Sequence, residues 1–295
     1  MLTRLAERYL TLLKKSLLND LYIENDARII HLAVTQMSQQ PQSPQDIVGA
    51  FRNIRQSQIF ATLEGNREVG AQMLILEKTQ DGRLIENVAS RNFTANAHTM
   101  IGRQRMNHLH WCLDQITAEG IAGDLIETGV WRGGATIFMR GYLAAHDIAD
   151  RTVWAADSFE GLPPPTLRQD APYDFSKDML PYLAISLEDV QALFERYGLL
   201  DAQVRFLKGW FKDTLPGAPI EQLALLRLDG DLYESTMDAL NALYHKVAPG
   251  GFVVVDDYES FPPCKIAIEE FRQTHGITQE LIPIDKYSVY WRKPL

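Results

Sequence analysis

From about Gly123 onward the chain alternates apolar runs with amphipathic ones, and this alternation confines it to a doubly wound α/β sheet. The apolar runs are DLIETGV, TVWAADS, VRFLKG, LALLRLD and GFVVVDD. Each is mostly apolar along its length, as strands covered by helices on both faces require. Between them, GATIFMRGYLAAH, SLEDVQALFERYG, ESTMDALNALYHKV and PPCKIAIEEFRQTHG carry helical spacing, and the last two end near Pro-Gly or Gly. ITQELIPID and YSVYWRK then predict a terminal strand pair.

Upstream the rhythm differs. Apolar residues at Leu5, Tyr9, Leu12, Leu13, Leu17 and Leu21 predict amphipathic helices from about Leu5 to Val34 that dock on something, the main domain first and a partner or membrane as the alternative. MSQQPQSPQ, residues 37–45, is polar and Pro-broken and reads as a linker or exposed loop. MLILEKTQDGRLIENV predicts two short strands joined through Asp81-Gly82, a pair that tolerates positive φ. The chain thus divides into an N-terminal extension, residues 1–96, and a main domain, residues 97–295. There is no internal repeat.

Composition sets outer limits. A chain of 295 residues, 46% hydrophobic and 23% charged, can bury one large core plus an appendage. A formal charge of -9 argues against broad attraction to nucleic acid, which needs many Lys and Arg on phosphates. The two cysteines, Cys112 and Cys264, have neither disulfide-framework nor metal-ligand spacing. No apolar run reaches the roughly 20 residues of a membrane span, and charges interrupt MLTRLAERYLTLLKKSLLND throughout. The expectation is a cytoplasmic protein with no membrane partner.

In doubly wound sheets, ligands sit beyond the carboxyl ends of the strands, near the switch in strand order, and there the acids concentrate. ETGVWRGG places Glu127 at a strand end, Gly129 in a tight turn, and Gly133 and Gly134 at the next helix. This is not the GxGxxG of a nicotinamide dinucleotide site, which counts against an oxidoreductase. It favours a cofactor without a pyrophosphate, S-adenosylmethionine, whose ribose would face Asp157 at the next strand end; the alternative is a purely structural turn. Asp229, Asp256 and Asp257 tip two further strands, where three carboxylates repel unless a cation sits among them. A hard divalent ion with oxygen ligands, Mg²⁺, suits that set. Asp231, across Gly230 from Asp229, is positioned to act as a general base, against the alternative that Asp231 or Asp257 only caps the following helix.

AHTMIG, GDLIETGVWRGGATIFMRG, VWAADSFEGLPPP, LKGWFKDTLP, LRLDGDLYESTMDAL, PGGFVVVDDY and VYWRK together resemble the macrocin O-methyltransferase family, from about Ala97 to Lys293, with weaker similarity in the first thirty residues. That resemblance implies a class I methyltransferase Rossmann-like sheet with an N-terminal helical lid, and Mg²⁺-dependent methylation of antibiotic-sugar hydroxyls with S-adenosylmethionine. It assigns Asp229, Asp256 and Asp257 as metal ligands and Asp231 as base. Cofactor contacts fall to Thr99 and Met100; Glu127, Thr128, Gly129, Val130 and Trp131; and Asp157, Ser158, Phe159, Glu160 and Gly161. Ser186, Gly209 and Trp210 are further contacts, although Ser-Leu-Glu-Asp is also a helix-capping pattern. The resemblance also implies a homo-oligomer. Roughly residues 37–95 depart from the family's pattern, which leaves a nonsugar polyketide or peptide hydroxyl as an alternative to a deoxysugar acceptor. A noncatalytic cofactor-binding scaffold is the rival from another class, disfavoured because all four strand-end acids are present.

His108 and His110 read as packed or solvent-facing histidines in preference to bases. Arg103 and Arg105 either meet an acceptor or face water. Residues 159–184 are too long for a minimal connection and read as a cover over the site or a dimer contact.

Overall fold

The computed structural model describes residues 2–38, 43–67, 76–78, 84–86 and 96–295. These form two compact units, one of residues 12–106 and one of residues 1–11 with 107–295. The first helix, α1 (Leu2–Leu17), runs across the boundary. Its buried residues are Ala6, Leu10, Leu13 and Leu17, whereas Leu5 and Leu12 are exposed. The apolar spacing therefore predicts the helix correctly but mixes two of its faces.

In the smaller unit, α2 (Ile23–Ser38), α3 (Pro44–Arg52) and α4 (Gln58–Asn66) follow. Ile23, Ala27 and Ile30 pack with Ile54 and Leu63 in a small core. The expected linker is largely helical at its ends. Residues 39–42 lie outside the described residues, but Ser43 opens α3 with a reciprocal cap: its hydroxyl accepts the Asp46 N–H at 3.2 Å and the Asp46 carboxylate accepts the Ser43 N–H at 3.2 Å. Pro44 at the first helical position suits a site where no N–H is needed. Two strands, β1 (Leu76–Lys78) and β2 (Leu84–Glu86), pair antiparallel as expected, and the Asp81-Gly82 turn lies outside the described residues.

A buried polar knot ties this unit together. Asp26 accepts from Asn19 at 2.8 Å, from Arg67 at 2.9 Å and from Asn96 at 2.5 Å. Arg67 also donates to the Leu18 carbonyl. Arg103 donates to Asp20 at 2.8 Å and to Glu64 at 3.2 Å, bracing helices of this unit. Arg105 is buried.

Helix α5 (Gly102–Ala118) leads into the larger unit. There follow β3 (Asp124–Thr128), α6 (Gly134–Ala145), β4 (Val153–Asp157), α7 (Leu187–Arg196), β5 (Val204–Lys208), α8 (Phe211–Thr214), β6 (Leu223–Leu228), α9 (Tyr233–Leu243), β7 (Val247–Val255), α10 (Pro262–Thr274), β8 (Ile282–Pro283) and β9 (Val289–Arg292). They build a seven-stranded sheet in the order β5-β4-β3-β6-β7-β9-β8. The first five strands of this order are parallel, and β9 runs antiparallel to both β7 and β8, the predicted terminal pair. After β3 the chain winds outward to β4 and β5, then crosses back to β6, so the order reverses between β3 and β6 and opens a crevice there. Ile126, Leu226, Val253 and Trp291 on the sheet and Leu240, Ile268 and Phe271 on helices share one buried core. Among the described residues, no helix is long and apolar enough to cross a membrane.

His108 and His110 are packed, in keeping with the sequence reading. The His110 ring meets the edges of Phe138 and Tyr142 at 5.4 and 5.7 Å, and His108 lies 4.4 Å from the Tyr290 ring. Burial, helped by the positive field of Arg227, lowers the His108 pKa to about 4, against about 6.5 when unfolded. The fold thus favours neutral imidazole, a contribution complete above pH 6.5 and lost as pH falls toward 4 while the unfolded state takes up the proton first. In circular-dichroism melts between pH 7 and 4.5, a His108→Phe protein is expected to lose melting temperature less steeply than the parent.

Candidate active site

The strand register gathers the acids. Glu127 pairs with Arg227, and Arg227 pairs with Val254, across β3, β6 and β7. Side chains two apart on a strand share a face, so Asp229 and Asp256 project from the same side as Glu127 and Arg227. The ladder continues past the strands: the Asp229 N–H donates to the Thr128 carbonyl and the Asp256 N–H to the Leu228 carbonyl, both at 2.9 Å.

At the centre stands Arg227, 2% exposed. Its Nη1 donates to Glu127 at 2.7 Å and to Asp229 at 2.5 Å, and its Nη2 donates to Asp256. Burial opposes the guanidinium's charge; Asp256, Asp229 and Glu127 together overcome it and raise its pKa above the arginine norm. The cation that clustered carboxylates need is thus supplied in part from within the chain. Sequence reasoning misses Arg227, although a lone arginine in the otherwise apolar LALLRL is a signal, since a buried charge requires partners.

One guanidinium does not neutralise the whole cluster. Burial, opposed by Arg227, pushes the Glu127 carboxyl up to about 8. Asp231 is raised well above the usual carboxylate range by burial and then by Asp229, Asp256 and Asp157, while a hydrogen bond with Asp257 acts the other way. One oxygen from each of Asp229, Asp256 and Asp257 lies within 4.8 Å of the others. Oxygens on one hard divalent ion, each roughly 2.0–2.6 Å from it, span about this distance, so the donor set fits such an ion in chemistry and spacing.

On the other side of the crevice the backbone is drawn tight. Gly129, at φ 91°, lies so close to β6 that a Cβ there would sit 1.8 Å from the Asp229 carbonyl oxygen. Asp157 accepts the N–H of Val130 at 2.8 Å and of Phe159 at 2.7 Å, clasping the turns after β3 and β4 to each other. Its carboxylate therefore has a structural task that the sequence does not indicate. Ser158 donates to the Gly161 carbonyl at 2.6 Å, and Glu160 N–H donates back to the Ser158 hydroxyl at 3.0 Å. Gly209, at φ 138°, follows β5 and donates to the Asp157 carbonyl at 2.9 Å, which brings Gly209 and Trp210 beside that clasp. Ser186 caps α7, accepting the Asp189 N–H at 3.1 Å. Thr99, whose hydroxyl accepts the Ile101 N–H at 3.5 Å, and Met100 belong to the 12–106 unit, whereas the crevice is built from residues of the 107–295 stretch.

Three non-glycine residues hold left-handed backbone at the tips of adjacent strands: Trp131 at φ 47°, Phe159 at 57° and Asp231 at 61°. Such conformations cost of order 1–3 kcal/mol each and persist where surrounding contacts impose them, often at functional sites. No residue pattern announces them.

The long segment 159–184 is fastened to three strand-end segments. The Trp131 indole donates to the Tyr182 carbonyl at 3.0 Å; Asp170 accepts the N–H groups of Tyr233 and Glu234; and the Phe175 ring lies 5.0 Å from that of Phe261. Tyr182 has a raised pKa, from burial and then from the charge of Asp231.

A parallel sheet with a reversed order, an antiparallel final pair, a glycine turn after β3 and acids after β6 and β7 defines a class I S-adenosylmethionine-dependent methyltransferase. The structure of the O-methyltransferase NovP superposes with a TM-score of 0.76 at 41% identity, covering 98% of this chain and 100% of that one. The family profile described as macrocin-O-methyltransferase (TylF) matches residues 6–293, and the chain belongs to that family. Demethyldecarbamoylnovobiocin O-methyltransferase of Streptomyces niveus is 54% identical over 208 residues, 69% of this chain and 78% of that protein. Mycinamicin III 3''-O-methyltransferase of Micromonospora griseorubida is 51% identical over 210 residues, 70% and 82% of the two chains. An 8-demethyl-8-(2,3-dimethoxy-alpha-L-rhamnosyl)-tetracenomycin-C 4'-O-methyltransferase of Streptomyces olivaceus is 49% identical over 221 residues, 73% and 82% of the two. The protein is accordingly an O-methyltransferase of the antibiotic-biosynthesis type.

Removing one partner of a buried ion cluster leaves the others uncompensated, at a cost of about 3–5 kcal/mol. Arg227→Met is expected to lower unfolding stability by that order. Arg227→Lys is expected to recover only part of the loss, because an ammonium cannot present the planar fork that serves three carboxylates. Urea titrations of the two variants against the parent check both.

Proposed function

We propose that the protein transfers a methyl group from S-adenosylmethionine to a hydroxyl of a deoxysugar carried by an antibiotic, in a reaction that depends on Mg²⁺. The observation that carries the reading is the gathering of Asp229, Asp256 and Asp257, one oxygen of each within 4.8 Å of the others, next to the Gly129 turn, whose backbone abuts that of Asp229. The sugar acceptor is supported by the rhamnosyl group in the name of the relative from Streptomyces olivaceus. The donor is assigned to the segments Glu127 to Trp131 and Asp157 to Gly161, with Gly209 and Trp210 beside them; backbone drawn this tightly admits a ligand close to the main chain.

Asp229, Asp256 and Asp257 would hold the divalent ion, which when bound supplies Lewis acidity toward the acceptor hydroxyl. The chain's own residues have three tasks. Asp231 takes and holds the hydroxyl proton on its carboxylate, the general-base step. Arg227 and the strand register fix Asp229 and Asp256, so little reorganisation is needed at the moment of reaction. The segment 159–184 orients the acceptor and keeps water out, which turns an encounter between two reactants into a positioned one.

General-base assistance is worth about 10²–10⁴-fold. Asp231→Asn is expected to reduce kcat on that order while Mn²⁺ binding, followed by electron paramagnetic resonance, stays close to the parent's. Asp256→Ala is expected to lose Mn²⁺ binding as well as turnover. Transfer of labelled methyl to deoxysugar-bearing macrolides or aminocoumarins, run beside linear polyketide and peptide alcohols, tests the acceptor; undiminished turnover in excess chelator would remove the metal.

A further inference from the structure

Asp170 is a buried carboxylate, 2% exposed, that the proposed chemistry does not use. One of its oxygens accepts the Tyr233 N–H at 2.8 Å and the other accepts the Glu234 N–H at 3.0 Å, from 63 and 64 residues upstream. These are first-turn donors of α9, which have no partner within the helix. The residue at the capping position, Leu232, has no side-chain oxygen to offer them. Helices ordinarily meet this need locally, with Ser, Thr, Asp or Asn at that position. Here the cap comes from the middle of the 159–184 segment, and a negative charge there also suits the positive end of the helix dipole.

Immediately before that helix lies the turn that carries Asp231 in left-handed backbone. The turn is held from its own side by the Ser235 hydroxyl, which donates to the Gly230 carbonyl. Around Asp170 the same segment is tied down again: Thr166 donates to Glu234 at 2.6 Å, Leu162 bridges Ser176, and Phe175 packs on Phe261 in the segment after β7. We infer that Asp170 is a positioning residue: by capping α9 from the 159–184 segment, it makes the acceptor-side cover and the Gly230–Leu232 turn one mechanical piece, so that seating the acceptor and aligning Asp231 occur together. This rests on the role proposed above for Asp231.

The test uses the full-length protein and compares Asp170→Asn, which keeps one acceptor oxygen, with Asp170→Ala, which keeps none. Asp124→Asn is the control. Asp124 also grips two donors, the Thr152 N–H and the Trp154 indole, both at 2.8 Å, but at the opposite ends of the strands. Five quantities are read: kcat, the acceptor KM, the S-adenosylhomocysteine dissociation constant by calorimetry, the Mn²⁺ dissociation constant, and the rate of tryptic cleavage after the exposed Arg168 and Lys177 that flank Asp170. Expected for Asp170→Ala are a kcat at least tenfold lower, a raised acceptor KM, donor and Mn²⁺ constants within twofold of the parent, and tryptic cleavage at least fivefold faster; Asp170→Asn falls between. The inference is overturned by a kcat within twofold of the parent, by an equal loss in Asp124→Asn, or by unchanged cleavage. If Asp170→Ala does not fold, Asp170→Asn carries the same criteria. A parent enzyme that methylates no acceptor would instead retire the functional reading, and the cleavage rates would still decide whether Asp170 holds the segment to the helix.

Discussion

The site depends on a single planar cation buried in the middle of a parallel sheet. Arg227 reaches Glu127 on one neighbouring strand, Asp256 beyond the end of the other, and Asp229 just past the end of its own. A cluster of carboxylates at strand ends would otherwise push the strands apart at the point where the sheet must open a crevice. Three charge-assisted hydrogen bonds convert that repulsion into alignment, and the fork geometry of guanidinium suits it to several carboxylates at once. In the proposed reaction, the remaining excess of negative charge stays where the hydroxyl loses its proton. Stability and reactivity are thereby drawn from one electrostatic arrangement, with the internal cation answering for the fold and the surplus for the chemistry.

Much of this is visible in the residues because the constraints are local. Apolar runs such as LALLRLD and GFVVVDD can only be strands covered on both sides, and their terminal acids mark the ligand end of the sheet by the geometry of parallel strands. Ser186 is recognisable as a cap because its partner, Asp189, is three residues away. Arg227 is harder. Its partners lie on β3 and beyond β7, at sequence separations of 100 and 29 residues, and only the register brings them onto one face. Asp170 is the extreme case, a cap whose helix begins 63 residues later. Asp157 reads from the sequence as facing a ligand's ribose, and its hold on the N–H groups of Val130 and Phe159 is a second task that only the fold reveals. In the N-terminal unit, Ser43-Pro44-Gln45-Asp46 carries a capping signal that its Pro and Gln content obscures.

The two walls of the crevice use different physics. On the wall proposed for the donor, glycine and strained backbone bring main chain into close approach, and Asp157 binds two turns to each other. On the wall proposed for the acceptor lie charged side chains and a segment of irregular chain, fastened by a helix cap, an indole hydrogen bond and a pair of aromatic rings. A close-fitting backbone recognises one shape and tolerates little change. A wall built from a tethered segment can alter its exposed side chains while its attachments stay in place, which suits a family whose members are named for chemically diverse acceptors.

The Asp26 knot has a comparable meaning for the N-terminal unit. Arg67 and Asn96, between which 28 residues intervene, grasp opposite oxygens of one carboxylate. Because both ends are gathered at a single point, the rest of the fold is indifferent to how much chain runs between them: closure entropy rises by only about 0.6 kcal/mol for each doubling of length. Insertion, deletion or exchange of that stretch during descent would leave the knot itself in place, giving the enzyme a socket into which new chain can be fitted.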